Sequence, residues 1–339
     1  MIINIDYLKI HVHLGKSRHD EILTRKQQAY SSRHYSVIED LYLYNIKVAV
    51  MESQPHSSIL HKHSALIKIE NQLLYNYELF RYIDMLIYCL NAEVKNISRL
   101  DVCADFIKFK NNLKPSNLIR CFMQEKFLRN KRGKYTIIGS QRNVQEVEYL
   151  RFGSKTSDVN VYLYNKTKEM NEVKYKKYIA EKWQQLDNET NEDIWRLEVS
   201  LTSQALTYVD RNTSEIFKIN LEMLKGAQFV EDLFYSLVLE YFEFRKNNGT
   251  KNKSRMPKVQ LIDRDVIVYE RQKFALSKDI TKRDKILLKN MYQFEKRYAG
   301  ASKVAIEGAV NIKKELIRDN YLSDYLLRKK EYWENEDIE

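Results

Sequence analysis

The sequence predicts an α+β fold, an antiparallel sheet with flanking helices, followed by a smaller, mostly helical and basic C-terminal region. Several segments alternate apolar and polar residues with a period of two, which is typical of half-buried strands. Segments with apolar residues at three- and four-residue spacing lie between them and indicate amphipathic helices. The order lacks the regular strand–helix alternation of a doubly wound parallel sheet. Hydrophobic residues make up 44% of the 339 residues, so the chain can bury a sizeable core.

Each predicted element follows from such a pattern. The strands are expected at residues 8–14, 41–51, 59–69, 98–109 and 194–203, in a hairpin over 135–164, and in a short piece at 266–269. The helices are expected at residues 71–90, 115–128, 166–186, 214–225, 229–246, 283–297 and 302–332. Pro115 suits the first turn of its helix, where the missing N–H has no helical partner.

Composition and charge also divide the chain. Residues 246–258 contain almost no apolar side chain and include Gly249 and Pro257, so we expect a linker between a main domain, residues 1–245, and a region over 259–339. Residues 246–330 hold 22 Lys/Arg against 10 Asp/Glu, and residues 108–134 hold nine against one. Such local excess is typical of proteins that bind polyanions, so the C-terminal region is predicted to bind DNA. The alternative is a set of solvated helix faces.

Other counts exclude whole classes of protein. The three cysteines form no CxxC pair, which argues against a disulfide framework or a zinc ribbon. Eight glycines in the whole chain make a glycine-rich phosphate loop an unfavourable hypothesis. No secretory signal opens the sequence, and no uncharged apolar run reaches the roughly 20 residues of a membrane span. We therefore expect a soluble protein of the cytoplasm.

Three predicted strands, at residues 98–106, 161–166 and 195–201, share one pattern. Each has one apolar face and one face that carries ionisable side chains. If the strands are neighbours, that second face gathers Arg99, Asp101, Asp105, Tyr162, Tyr164, Lys166, Arg196 and Glu198. Carboxylates that close repel one another unless a cation lies between them, and their oxygens suit Mg²⁺ or Mn²⁺. The alternative is an ordinary amphipathic sheet whose polar face meets water.

A tyrosine beside such carboxylates has a specific chemical use. Its phenol can attack a phosphodiester and form a covalent phosphotyrosine, and a bound metal can stabilise the charge that develops on the phosphate. Lys166 shares the polar face with the tyrosines and could hold the phosphate or favour the phenolate. The sequence therefore presents a candidate site for phosphodiester transesterification.

Four segments of the chain resemble the replication initiation factor family of rolling-circle plasmids and bacteriophages, the tyrosine nickase initiators. The most specific is YLRFGSKTSD at residues 149–158, followed by YLYNK at 162–166 and by Glu169. The other three are IDYL at 5–8, RLDVCAD at 99–105 and RLE at 196–198. Together the four segments fall within residues 1–245, which the resemblance makes the catalytic domain.

The resemblance implies a role for each residue. Tyr164 would be the nucleophile, with Tyr162 as the alternative and Lys166 beside it. Asp101 or Asp105 would hold Mg²⁺ or Mn²⁺ together with Glu198, while Glu169 would join them or act behind them. DNA contacts are predicted at Arg99, Arg196, Lys131, Arg132 and Lys134. The family often has arginine two residues before the tyrosine of its YxK motif, where this chain has Tyr162.

The implied activity is the start of rolling-circle DNA replication. The protein would nick one strand of its origin with a metal ion, remain joined to the 5′ phosphate, and later transfer the strand. Its partners would be origin DNA, both double-stranded and extruded single-stranded, and host helicase and polymerase. Whether it pairs with a second copy is left open.

Two other functions remain open. His11/His13 and His61/His63 have the spacing of the metal-binding histidines of relaxases and transposases, and all seven histidines precede residue 64. A DNA-binding regulator without cleavage is the non-enzymatic alternative. Phe122, Phe127 and Tyr135 lie in or beside the basic stretch, where they could stack on bases, although core packing is expected of Phe122.

Overall fold

The computed structural model of the chain describes residues 1–16, 21–56, 60–131, 133–139, 147–154, 156–186, 192–250 and 252–272. The strands in this part are β1 (Ile2–Leu14), β2 (Leu23–Gln27), β3 (Tyr35–Leu43), β4 (Ile46–Pro55), β5 (Ser64–Ile69), β6 (Ala92–Phe106), β7 (Phe127–Arg129), β8 (Tyr135–Gly139), β9 (Val147–Phe152), β10 (Val159–Asn165), β11 (Trp195–Thr202), β12 (Thr207–Asp210), β13 (Ile216–Lys218), β14 (Phe244–Lys246) and β15 (Tyr269–Arg271). The helices are α1 (Asn71–Leu74), α2 (Leu79–Cys89), α3 (Pro115–Met123), α4 (Lys166–Glu172), α5 (Lys177–Trp183), α6 (Leu221–Leu224) and α7 (Ala227–Tyr241).

A ten-stranded sheet dominates this structure. Its strand order is β2-β3-β4-β5-β1-β6-β11-β10-β9-β8, and its neighbouring strands pair antiparallel. The longest strands, β1 and β6, lie side by side in its middle. The predicted α+β class with an antiparallel sheet is therefore confirmed. The helices predicted at 283–297 and 302–332 lie outside the described residues.

The core forms on the apolar face of this sheet. Leu100 and Val102 of β6 and Leu197 and Val199 of β11 are fully buried, as the period of two requires. Helix α7 packs against β1, β6 and β11 and adds its own buried apolar side chains to the same core. Burial on one face stabilises the sheet by about 25 cal/mol for each Å² of apolar surface removed from water. The opposite face is left to carry the polar residues.

Some predicted elements differ in their bounds. The helix expected at 71–90 is divided into α1 and α2, and the one expected at 166–186 into α4 and α5. The helix expected at 214–225 begins as strand β13, because Phe217 pairs with Tyr208 of β12 and stacks on its ring. Only the short helix α6 follows there.

The segment 246–258 does not separate the chain where the composition predicted. The Lys246 N–H donates to the Pro257 carbonyl at 2.8 Å, the Val259 N–H donates to the Phe244 carbonyl at 2.9 Å, and Met256 is buried. Strand β15 then pairs with β12. Residues 256–272 therefore belong to the main domain, and the predicted boundary at 245 is corrected. The remainder of the predicted basic region, from residue 273, lies outside the described residues.

Candidate functional site

The three strands that share the polar pattern are neighbours, in the order β6-β11-β10, and β9 lies beside β10. Their register aligns side chains in rows across the sheet. The first row is Asp105, Arg196, Tyr164 and Tyr149. The second row is Cys103, Glu198, Tyr162 and Arg151. The structure thus places Tyr164 and Glu198 in adjacent rows on neighbouring strands of one sheet face.

The first row contains a buried ion network around Arg196. The guanidinium is fully buried and donates from Nε and Nη2 to the two oxygens of Asp105, at 2.6 and 2.7 Å. Its Nη1 donates to Asp6 at 2.7 Å. Such two-pronged, charge-assisted hydrogen bonds are among the strongest in proteins. The prediction that Arg196 contacts DNA is therefore corrected: the residue ties β1, β6 and β11 together.

Asp105 is occupied by the same network. Besides Arg196, the indole N–H of Trp183 on α5 donates to its Oδ2 at 2.8 Å. Both oxygens of Asp105 thus take part in this buried network, and its role as a metal ligand stays a prediction. Its function is to neutralise Arg196 in the interior.

Asp6 completes the network and was not predicted as a functional residue. It lies at a β-bulge in β1, between Ile5 and Tyr7. Burial alone would raise its pKa, but Arg196 and the Tyr75 hydroxyl, which donates to Oδ1 at 2.6 Å, outweigh burial and lower the pKa to about 2. The Asp6 carboxylate is therefore charged at any physiological pH.

Tyr164 and Glu198 form the central contact of the site. The phenol of Tyr164 donates to Glu198 Oε2 at 3.0 Å, and both side chains remain partly exposed. Burial and the neighbouring Glu198 raise the pKa of Tyr164 well above its usual value. A nucleophile within hydrogen-bond distance of a carboxyl group that can take its proton when ionised is an arrangement suited to nucleophilic catalysis.

Glu198 shares its surroundings with a second carboxylate. Burial, and then the charges of Asp101 and Asp6, raise the pKa of Glu198 to about 8. Asp101 is itself buried, which raises its pKa, and it accepts from Arg99 Nε at 3.0 Å and Nη2 at 2.6 Å. Arg99 thus pairs with a carboxylate of the site, while its own side chain stays partly exposed.

The raised pKa of Glu198 predicts how the stability of the protein depends on pH. The folded-state pKa of Glu198, about 8, exceeds its ordinary value of 4.5, so the folded protein retains a proton that the unfolded chain has lost. The contribution of Glu198 to stability must therefore fall as pH rises between those two values. We expect Glu198→Gln, which cannot ionise, to unfold several degrees higher than the wild type at pH 8 and at the same temperature near pH 4.

Thermal unfolding across this pH range, in buffer with a chelator, measures the effect. The control is Glu222→Gln, since the Glu222 side chain is 76% exposed. If the difference in Tm between Glu198→Gln and the wild type were the same at all pH values, Glu198 would not carry the raised pKa.

Lys166 and Glu169 flank Tyr164 at the end of β10. The N-cap Asn165 accepts from the Lys168 N–H and starts helix α4 directly after the strand. Lys166 Nζ lies 5.4 Å from the centre of the Tyr164 ring and 2.6 Å from Glu169 Oε2. Lys166 is thus close to the predicted nucleophile, whereas Glu169 pairs with Lys166.

Much of the basic stretch 108–134 is neutralised within the fold. Lys108 and Lys114 both pair with Glu192, and Lys131 pairs with Glu240 at 3.0 Å. Lys134 is exposed, and Arg132 lies outside the described residues. Of the aromatic side chains in or beside this stretch, Phe122 and Phe127 pack against the core, which confirms the prediction for Phe122. Tyr135 is exposed.

The histidines of the two predicted pairs, His11/His13 and His61/His63, lie away from Tyr164. The rings of His11 and His13 on β1 continue into those of His61 and His63, with His13 and His61 stacked at 4.3 Å. On β6, His11 pairs with Asn96, whereas Cys103, seven positions further along, pairs with Glu198. That separation is roughly 20 Å along the strand. Cys103 is buried, which raises its thiol pKa well above the usual value and disfavours a thiol nucleophile.

Two observations concern metals and membranes. The part of the chain that the structure describes contains no group of three or more His, Cys, Asp or Glu side chains that could by itself hold a metal ion. Asp101 and Glu198 remain the two carboxylates that crowd each other at the open face. Among the same residues, no helix is long and apolar enough to cross a bilayer.

Comparisons with known proteins give a likeness of structure but not of sequence. No protein-family model matches the chain, and no curated protein matches it. The chain is similar to the solved structure of a rolling circle replication initiator protein from Geobacillus stearothermophilus. The sequences are 16% identical, the match covers 76% of this chain and 93% of that one, and the TM-score is 0.44.

Proposed function

We propose that this chain is an origin-specific DNA nickase and strand transferase that starts rolling-circle replication, with Tyr164 as its nucleophile. The observation that carries the proposal is the hydrogen bond from the Tyr164 phenol to Glu198 on a partly open sheet face. The YxK motif at residues 164–166, which resembles that of the initiator family, supports the same assignment. Tyr162, one row away, is the alternative nucleophile.

The proposed step exchanges one phosphate ester for another. Tyr164 Oη attacks the phosphorus, its proton passes to the Glu198 carboxylate, and the bond from phosphorus to the 3′ oxygen breaks. The departing 3′ oxygen takes a proton from solvent, and the 5′ phosphate stays on the tyrosine. Because one phosphodiester replaces another, the reverse reaction can rejoin strands without an energy source.

Asp101 and Glu198 are the residues that fit a Mg²⁺ or Mn²⁺ ion. A cation between them would relieve the repulsion that raises the Glu198 pKa. Mg²⁺ commonly binds through one or two carboxylates and the phosphate oxygens of the substrate, so a complete protein cage is not required. When bound, the ion would stabilise charge on the phosphate.

The proposed partner is origin DNA, with host helicase and polymerase acting after the nick. The partly exposed Arg99 and the exposed Lys134 are the predicted DNA contacts that the structure leaves accessible. Lys131 is tied to Glu240, and residues beyond 272 would add the remaining positive charge. A homodimer would bring a second tyrosine to the same origin.

Nicking of supercoiled plasmid that carries the replicon's own origin tests this function. We expect open circles with Mg²⁺ or Mn²⁺, none with a chelator, and a protein–DNA adduct that survives detergent. Binding without nicks or adduct under all metal conditions would instead support a regulator. The double variant His11→Ala, His13→Ala should nick as the wild type does, and its inactivity would favour the relaxase-type alternative.

A further inference from the structure

We propose that Arg151 binds the phosphate that Tyr164 attacks, a role that rests on the proposed nickase function. Arg151 lies on β9 directly opposite Tyr162 and in the same row as Glu198. In the next row, Tyr149 of the same strand lies opposite Tyr164, with ring centres 6.5 Å apart. The guanidinium therefore lies within the group of tyrosines that surrounds the candidate nucleophile.

The neighbouring cations on this face are already neutralised by carboxylates. Arg99 pairs with Asp101, Lys166 pairs with Glu169, and the buried Arg196 pairs with two aspartates. A cation with its own carboxylate has less capacity to attract a phosphate. These three cations therefore stabilise the fold and are less available to bind a phosphate.

Arg151 differs from these residues in its partners. Its Nη2 donates to the hydroxyl of Thr136 at 3.2 Å, and its other polar neighbour is the Tyr149 hydroxyl, so its contacts are with neutral groups. Among the described residues it has no ion pair, and its Nε is buried without a hydrogen-bond acceptor. A buried donor without an acceptor destabilises the fold. Within the described part of the chain, no carboxylate competes with a phosphate for the charge of Arg151.

The chemistry of the guanidinium selects the ligand. Its planar fork matches two oxygens of a phosphate, and its charge persists at all relevant pH values. A phosphodiester placed for attack by Tyr164 would lie over the row that contains Tyr162 and Arg151. The ligand class is thus a nucleic-acid backbone phosphate, held on one side by Arg151 and approached on the other by the phenol.

Two measurements with Arg151→Gln test this assignment. The first is the rate of covalent adduct formation on origin plasmid, which we expect to fall by about 100-fold, the usual effect of losing one donor to a developing anion. Arg151→Lys keeps the positive charge but not the planar guanidinium, so its rate of adduct formation should lie between those of the wild type and Arg151→Gln. The matched control is Arg81→Gln, since the Arg81 side chain is 72% exposed on α2.

The second measurement does not depend on cleavage. Binding of a short poly-dT oligonucleotide is followed over a range of salt concentrations, and loss of one phosphate contact should lower the slope of log K against log salt by about 0.7. An adduct rate and a salt slope both equal to those of Arg81→Gln would overturn the assignment. If the wild type itself forms no adduct, the proposed function fails, and the salt slope still decides whether Arg151 binds phosphate.

Discussion

Tyr164→Phe is expected to abolish the covalent protein–DNA adduct, with a loss of about 10⁴-fold or more, as when an essential nucleophile is removed. The substitution keeps the ring between its neighbours and removes only the hydroxyl that donates to Glu198. Folding and DNA binding should therefore stay close to the wild type. The measurement is gel separation of adduct and free DNA in detergent, alongside binding of uncleaved origin DNA.

Tyr162→Phe is the matched control, because Tyr162 shares the open face of β10 but lies beside Glu198 without an observed hydrogen bond to it. We expect this variant to retain at least part of the activity. An active Tyr164→Phe together with an inactive Tyr162→Phe would reverse the two roles.

Arg196→Met is expected to destabilise the fold by about 3–5 kcal/mol, the usual cost of leaving buried charges without their partner. It would strip Asp6 and Asp105 of the guanidinium that both contact at hydrogen-bond distance. Urea unfolding followed by tryptophan fluorescence measures the change, and Arg81→Met, at an exposed position, is the control. A loss below about 1 kcal/mol, the range of exposed ion pairs, would contradict the structural role of Arg196.

The same network changes what is expected of Asp105. From the sequence alone, Asp105→Ala should abolish nicking and leave DNA binding intact, as a metal ligand would. The structure predicts a destabilised protein instead, because Asp105 is the main partner of the fully buried Arg196. Loss of DNA binding in parallel with loss of folded protein is the expected result.

The part of the site that the sequence could predict is the part set by strand geometry. Alternate residues on a strand point to the same face, so Tyr162 and Tyr164 must share a face, as must Asp101 and Asp105. That β10 and β11 pair as neighbours puts Tyr164 and Glu198 on one face, but the register that sets them in adjacent rows, within hydrogen-bond distance, is seen only in the structure.

The alternation of apolar and polar residues could not show which polar residues of that face would be buried by other parts of the chain. Arg196 and Asp105 are buried because Trp183 of α5, and Asp6 at a bulge in β1, close over them from distant parts of the chain. Arg151 was missed for a related reason. Its position opposite Tyr162 depends on how β9 pairs with β10.

Identification of the residue that carries the DNA tests whether Tyr164 is the nucleophile. Wild-type protein is allowed to nick origin plasmid, the DNA is digested to a short remnant, and the peptides are analysed by mass spectrometry with fragmentation. We expect a nucleotide joined through phosphate to Tyr164. A nucleotide on Tyr162 would move the nucleophile by one row, roughly 6.6 Å along the strand. A nucleotide on a residue outside 161–166 would contradict the proposed site.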